Sequence, residues 1–590
     1  MRTWWMLWRL IRFAPWTYTL AGLFWILSWV LNLAPGLIAQ SFFDTLTGKA
    51  PAHIGLYGLV VLLLMLQVAR VAAILIATAA ARTYGIYAGS LLRKNMLQGI
   101  LRHPGARALP GAAGEAVNRF RDDVSDILQF LELPGLLNLL SMTVFAAGAA
   151  AIMLRVNATI TLLVFLPLVL VLVAVYVAGR RIDRYRRASR QATGDVTGLL
   201  GEMFHAVQAI KVARAEPHVI EHFRVLSDRR RRAALQDQLT TSVLDALFQG
   251  AVNLGTGVIL LIAAGSMRAG TFTVGDFALF AYNLGSLTEV IGFVGELLVG
   301  YRQAGISFAR MAALLPDQPA EALVAHGPVY LHGALPEVPP LSHTQHQRLE
   351  ILEAANLTYR YPENGKGIEA ANLRIRRGEC VVITGRVGAG KTTLLRALLG
   401  LLPRDAGTIR WNGVPVEDPG TFLTPPRVAY TPQVPRLFSD SIQDNILLGL
   451  PEAGLDLRAA LHAAVLEDDV AELAAGLATR IGPRGIKLSG GQAQRAAAVR
   501  MFVRSPDLLV FDDLSSALDV ETERILWARL AARGEQTCLV VAHRRVALRH
   551  ADRIVVLAQG RVADEGTLDE PLAHCEEFRK LWDAEQSADR

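Results

Sequence analysis

Cysteine is scarce in this chain: three in 590 residues, Cys380, Cys538 and Cys575, all in the C-terminal part. Three cysteines at these spacings build neither a disulfide framework nor a metal-ligand pattern, which suits a reducing cytoplasm. Charge is scarce too. Asp, Glu, Lys and Arg make up 19% of the residues, against 52% hydrophobic ones. That balance excludes an ordinary soluble protein along the whole length, and 590 residues exceed one compact core. The basic excess of +7 would suit a nucleic-acid partner. The arginines cluster beside apolar runs instead, so membrane topology accounts for them and no nucleic-acid partner is expected. A cleavable signal peptide is not evident.

Long apolar runs are present. They lie near 17–40, 54–79, 132–154, 157–178, 243–265 and 277–300. About 20 residues at 1.5 Å rise cross the hydrocarbon layer, so six crossings fit. Before them, Met1 to Phe13 carries Arg2, Arg9 and Arg12 on one helical face and Trp4, Leu7, Trp8 and Ile11 on another. Such a segment suits the membrane interface, or is the start of the first span. Ser41–His53, Arg155–Asn157 and Met267–Asp276 are short connections. Ala80–Leu131 and Gly179–Ser242 are long, helical and rich in arginine, with Arg180, Arg181, Arg184, Arg186, Arg187, Arg190 and the run Arg229 to Arg232. Basic loops face the cytoplasm, which puts both termini there and predicts a multi-pass protein of a bacterial inner or cell membrane. The long loops read as helical hairpins that continue beyond the bilayer.

The expected domains are a membrane domain over 1–315, a linker over 316–350 and a nucleotide-binding domain over 351–590. The linker is rich in proline, with Pro336, Pro339 and Pro340. Beyond it, Cys380–Thr384, Leu508–Phe511, Cys538–Ala542 and Arg553–Leu557 read as buried strands of an α/β core with a largely parallel sheet.

The first of those strands runs straight into Gly385-Arg386-Val387-Gly388-Ala389-Gly390-Lys391-Thr392, and Thr393 onward continues as a helix. That is the context in which a phosphate-binding loop works. The glycines let backbone N–H groups curl toward phosphates, and the helix N-terminus adds positive potential. Lys391 is placed to reach the β- and γ-phosphates of ATP, and Thr392 to ligate Mg²⁺. Asp512 ends an apolar strand, where it would hold Mg²⁺ through water. His543 ends another and would orient the γ-phosphate and the attacking water.

Leu488-Ser489-Gly490-Gly491-Gln492 resembles the signature of ATP-binding cassette proteins. The resemblance implies Gln433 as the Q-loop residue near the metal, Tyr361 as the aromatic that stacks on adenine, and Ser516-Ala517-Leu518-Asp519 as the D-loop. In the membrane part, Gly270-Thr271-Phe272-Thr273-Val274-Gly275-Asp276-Phe277 resembles the segment before the last span of exporters. Glu202 and Val207–Val212 resemble their second intracellular loop. The likeness covers nearly the whole chain. It implies an exporter-type half-transporter: an α-helical polytopic domain of six helices fused to an α/β P-loop NTPase. ATP and Mg²⁺ are the implied cofactors, and a second half-transporter the implied partner. The signature of each cassette would contact ATP held by the other. Segments near Pro104–Glu115 and Val212–His218 are the expected coupling helices.

Two departures stand out. Strong ATPases of the family carry Glu after the strand-end Asp, whereas this chain has Asp513. Where the family often has Gly-Glu-Arg-Gly before the signature, this chain has Gly482-Pro483-Arg484-Gly485. A slow site of its own and a heterodimer with a complete partner follow as expectations, with a homodimer as the alternative. An importer of exporter-like fold and an ATP-gated channel or regulatory subunit are the rival functions. The cargo is unnamed. Arg70, Glu289 and Glu296 interrupt apolar runs. Charges there line a substrate path or pair between helices.

Overall fold

The computed structural model describes residues 2–588 apart from 50–53, 106–108, 110–112, 133–134, 269–270, 317, 336–347, 483–487, 515–516 and 535. Within helices, the side chains of 164–183, of 205, of several residues between 244 and 262, of 288, 291–292 and 294–296, and of 585–588 also lie outside the description. Pro336, Pro339, Pro340, Gly270, Pro483 to Gly485, Ser516 and the side chains of Arg180, Arg181 and Glu296 are therefore among the residues not described. The chain divides into two units, Met1–Gly99 with Gly111–Gly333 and Ile100–Pro110 with Ala334–Arg590.

The first unit is helical. Helix α1 (Thr3–Ile11) buries Met6, Leu7 and Leu10, while Trp4 and Trp8 stand half exposed. Leu7 shares the face of Trp4, Trp8 and Ile11, at the edge where that face meets the buried arc. At 100° per residue the buried arc runs through positions 6, 10 and 7, and Trp4 and Trp8 lie beyond its edge. The first apolar run is not one helix. It is α2 (Pro15–Leu31) and α3 (Ala34–Leu46), interrupted at Asn32–Leu33. Pro35, at the start of α3, has no N–H to continue the ladder. Asn32 is 4% exposed; its amide donates to Ser286 Oγ at 3.3 Å and accepts from the Tyr282 hydroxyl at 3.0 Å.

Helix α4 spans Leu56–Arg102. Short helices α5 (Ala113–Asn118) and α6 (Val124–Leu131) follow, joined by one π-helical turn. Then come α7 (Leu136–Val156), α8 (Ala158–His205), α9 (Val207–Val212), α10 (Glu216–Arg268) and α11 (Val274–Ala312). Among the described residues, three stretches are long and apolar enough to cross a membrane: Pro15–Leu46, Leu56–Arg102 and Gly114–Val156. α8, α10 and α11 run continuously through the other three predicted positions. α8 and α10 have 48 and 53 residues, or about 70–80 Å at 1.5 Å per residue, more than twice a hydrocarbon layer of about 30 Å. The start of α11 is fixed by a capping box, with Asp276 N–H donating to Thr273 Oγ1 at 2.9 Å and Thr273 N–H to Asp276 Oδ2 at 2.8 Å. Gln40 of α3 donates to the same Asp276 at 2.6 Å. A Cβ on Gly275 would lie 2.3 Å from the Gln40 carbonyl, so only glycine allows α3 and α11 this close. Residues after α11 also pack in this unit: Leu323 and Val324 are fully buried, and Asn95 donates to the carbonyls of Leu323 and Ala325 at 2.9 Å each. That part of the expected linker is structured.

The second unit holds two sheets. Strands β1 (Ile351–Arg360), β2 (Gly367–Arg376), β4 (Ala406–Trp411) and β5 (Val414–Pro415) form an antiparallel sheet in the order β2-β1-β4-β5. Strands β3 (Cys380–Thr384), β6 (Val428–Thr431), β7 (Leu508–Asp512), β8 (Thr537–Val541), β9 (Arg553–Ala558) and β10 (Arg561–Gly566) form the other, in the order β10-β9-β3-β8-β7-β6. All its pairs are parallel except β9 with β10. Side chains alternate across it. Val382, Leu509, Phe511, Cys538 and Val540 enter one core, and Val381, Ile383, Leu508, Val510, Leu539 and Val541 the other. Such strands, covered on both faces, read as unbroken apolar runs.

Candidate nucleotide site

Parallel strands bring their C-terminal ends to one edge, and loops leaving that edge form the crevice of an open α/β sheet. Here β3 gives way to the loop 385–390 and helix α12 (Lys391–Leu398). Gly385, Gly388 and Gly390 all have positive φ, of 144°, 84° and 101°. At Gly385 a Cβ would stand 2.2 Å from the Leu557 carbonyl, so the tight turn admits no side chain. Lys391 is 8% exposed and its ammonium donates to the carbonyls of Gly385 and Arg386 at 2.7 and 2.9 Å. Burial holds its pKa below the usual lysine value, with Asp513 and Asp512 opposing that shift.

The ends of β7 and β8 close the crevice. Asp512 is 1% exposed. Its Oδ1 accepts from Thr392 Oγ1 at 2.9 Å and its Oδ2 from the Tyr430 hydroxyl at 3.3 Å. Burial raises its pKa against the pull of those donors, and burial pushes Tyr430 up to about 12. Asp513 sits in the left-handed region with φ 58°. Its N–H donates to the Val541 carbonyl at 3.0 Å, and its Oδ2 accepts from Gln433 Nε2 at 3.2 Å. His543 has its pKa lowered by burial and then by the Lys391 charge, so its imidazole is neutral at pH 7. One cleft is lined by Tyr361, Val387, Gly388, Gly390, Lys391, Thr392, Thr393, Gln433, Asp512, Asp513 and His543, most of the residues expected to hold nucleotide. The Tyr361 hydroxyl lies 3.5 Å from Thr393 Oγ1.

Arg386 and Ala389 contribute differently. The Arg386 guanidinium pairs with Glu577 at 2.8 Å, and Ala389 is buried in the core. Asn364, Lys366 and Gly367 also line the cleft. They sit around the β1–β2 turn, where nothing in their pattern marks them out.

Leu488 to Gln492 line no part of this cleft. They open the helix Gly490–Phe502, with Ser489 as its cap. Gln492 N–H donates to Ser489 Oγ at 3.2 Å, and Ser489 N–H to Gln492 Oε1 at 2.9 Å. Of the described D-loop residues, Ala517 is tied to this helix and to the cleft by one amide. Gln494 accepts from Ala517 N–H at 3.3 Å and donates to the Gln433 carbonyl at 3.1 Å. In the first unit, Arg70 of α4 is half-buried and Glu289 of α11 is exposed.

The ABC transporter family matches residues 368–516, and the ABC transporter transmembrane region matches residues 18–289. The chain belongs to the ABC transporters, with the membrane region and the ATPase domain on one polypeptide. It is similar to an ATP-dependent lipid A-core flippase of Burkholderia orbicola, 31% identical over 67% of this chain and 64% of the flippase. It thus spans just under two thirds of that relative's length. A flippase of the same description from Bordetella avium is 28% identical over 82% of this chain and 79% of its own. The probable multidrug resistance ABC transporter ATP-binding/permease protein YheI of Bacillus subtilis is 26% identical over 77% and 75%. A bacterial Atm1-family ABC exporter solved with ATP bound shares the fold, with a TM-score of 0.74, 22% identity and 97% and 98% coverage.

Proposed function

We propose that this chain is one half of a dimeric ATP-driven exporter of an amphiphile, and that it works beside a different chain. The separation of its signature from its own phosphate cleft supports the dimer. A nucleotide in the cleft meets Lys391, Asp512, Asp513 and His543, while the capped helix at Ser489 is left to complete the cleft of another cassette. Relatives described as lipid A-core flippases support an amphiphilic cargo. Loops that reach beyond the bilayer support transmission between ATPase and spans; Phe204 and Val212 at the α8–α9 hairpin are strongly exposed apolar side chains. Both termini and the ATPase domain would face the cytoplasm of a bacterial cell, with six helices crossing its membrane.

Within the cleft each residue has a task that its position allows. The loop N–H groups and the α12 N-terminus would cradle the phosphates, and Lys391 would balance the β- and γ-phosphate charge. Thr392, Asp512 and Gln433 present the hard oxygen donors that Mg²⁺ takes, and one carboxylate with phosphate oxygens suffices for it. Bound there, Mg²⁺ would neutralise charge developing on the phosphates. Neutral His543 can donate to the γ-phosphate. Among the described residues, Asp513, held by Gln433, is the only carboxylate besides Asp512 in the cleft lining, and it is one methylene shorter than the expected Glu.

The test is ATP-dependent movement of a fluorescent phospholipid between leaflets, in vesicles carrying this chain with its partner. Export predicts that movement stops with a non-hydrolysable ATP analogue. Movement that the analogue sustains would instead show a gated channel.

A further inference from the structure

A cavity of about 620 Å³ opens between α1 and α11, lined by Arg2, Thr3, Trp4, Trp5, Trp8 and Tyr301. It exists because the two helices cross closely. A Cβ on Gly305 would lie 3.1 Å from Thr3 Oγ1, so α1 begins against the Gly305 backbone. Tyr301 stands one turn earlier on the same face of α11, with its ring 5.8 Å from that of Phe130. The other end of α1 is fixed by His326, whose Nε2 lies 2.8 Å from the Arg9 carbonyl and whose ring meets that of Phe13 at 5.4 Å. The walls are thus set by tertiary contacts, and the volume falls in the range of small-molecule sites, about 300–1,000 Å³.

Trp4, Trp5, Trp8 and Tyr301 all keep part of their rings exposed. Such a group of rings is costly in water and suits the headgroup and carbonyl layer of a bilayer. The matched transmembrane region starts a few residues on, at residue 18. Charge complementarity then selects the headgroup. No Asp or Glu precedes Asp44, while Arg2, Arg9 and Arg12 all fall in this segment. The Arg9 guanidinium lies over the Trp5 ring at 5.2 Å, and its Nε is buried without a hydrogen-bond partner among the described residues. On Trp5, the aromatic face that a choline or ethanolamine group would take is therefore already held by a cation of the chain itself, which repels a second. The exposed Arg2 guanidinium presents a fork suited to phosphate oxygens.

We infer that the cavity between α1 and α11 docks the headgroup of an anionic phospholipid of the surrounding membrane, such as phosphatidylglycerol. Arg2 takes the phosphate. The indole N–H groups of Trp4 and Trp8 are the donors available to glycerol and ester oxygens. A lipid seated there touches both helices and clips α1 to α11. The ligand is a component of the membrane, not cargo, so the site requires the membrane region that the chain shares with its family and does not depend on the export reading.

The test uses the full-length chain in phosphatidylcholine vesicles that contain phosphatidylglycerol or phosphatidylcholine bearing a nitroxide high on its acyl chain. Nitroxide contact quenches tryptophan fluorescence. The quantity read is the mole fraction of labelled lipid giving half-maximal quenching, taken as the difference between the wild type and a Trp4→Phe, Trp8→Phe double variant so that the remaining tryptophans cancel. Labelled phosphatidylglycerol should reach half-quenching at about one tenth of the fraction that labelled phosphatidylcholine needs, the size of one charge-assisted hydrogen bond. Arg2→Gln should remove that preference and leave the phosphatidylcholine curve where it was. Arg2→Lys, which keeps the charge without the fork, should retain part of the preference and covers the case where the neutral variant fails to fold. Glycerol phosphate in solution should not displace the labelled lipid, because it lacks the acyl chains. Equal half-quenching by the two lipids, a preference that survives Arg2→Gln, or quenching by phosphatidylglycerol that is unchanged in the double variant would overturn the site. Displacement by free glycerol phosphate would overturn lipid docking and show a plain anion site instead.

Discussion

Lys391 and His543 illustrate how burial sets chemistry at single residues. The Lys391 ammonium satisfies two loop carbonyls in the cleft. Lys391→Ala removes the charge that would face the phosphates and leaves both carbonyls without this donor. ATP-dependent lipid movement by the purified complex should fall to background; a wild-type rate would refute the site assignment. His543 makes a pH prediction. Its folded pKa lies below the ordinary 6.5, with burial the first cause. A depressed group contributes stability that is present above its unfolded pKa and lost as pH falls through the folded one. Between pH 7.5 and 5.5 the wild-type cassette should therefore lose more melting temperature than His543→Asn. Equal losses in the two proteins would show that His543 is not held neutral.

At the scale of elements, the signature helix hangs on one cap. Ser489 and Gln492 satisfy each other's backbone N–H groups reciprocally. Ser489→Ala should cost about 1 kcal/mol of stability, read as an earlier melt of the cassette, while Gln492→Glu keeps the box and should melt near wild type. A Ser489→Ala protein that melts with the wild type would show the helix start to be held by other contacts. Legibility also divides by element. The phosphate loop was readable because strand, glycines and helix are contiguous in sequence, and the parallel strands because both faces are apolar. The antiparallel sheet was not, since β1 and β2 mix buried and exposed positions and resemble ordinary polar loops. Nor was the break at Asn32. Pro35 accounts for the stop, but the Tyr282 and Ser286 groups that hold the buried Asn32 lie some 250 residues away. The burial of Leu7 was likewise set by tertiary packing rather than by helical period alone.

For the whole molecule the decisive residue is Asp513. A general base must come within about 2.6–3.2 Å of the attacking water. Asp is one methylene shorter than Glu, so its carboxylate withdraws by more than about 1 Å, a displacement that can cost on the order of 10²-fold in rate. Its conformation is in keeping with that reading. Asp tolerates the left-handed backbone at φ 58° better than most side chains, and its carboxylate is engaged by Gln433. The signature helix is fully formed, so this chain can still complete a site elsewhere. Under the proposed heterodimer, a slow, ATP-retaining site on this chain and a fast site on the partner would go together. Purified alone, the chain should hydrolyse ATP slowly; co-expressed with a half-transporter that carries Glu after its own strand-end Asp, the pair should be brisk. In that pair Asp513→Asn should change turnover little, whereas replacing the partner's Glu by Gln should stop it. Brisk hydrolysis by the lone chain, abolished by Asp513→Asn, would make it a homodimer whose shorter acid suffices.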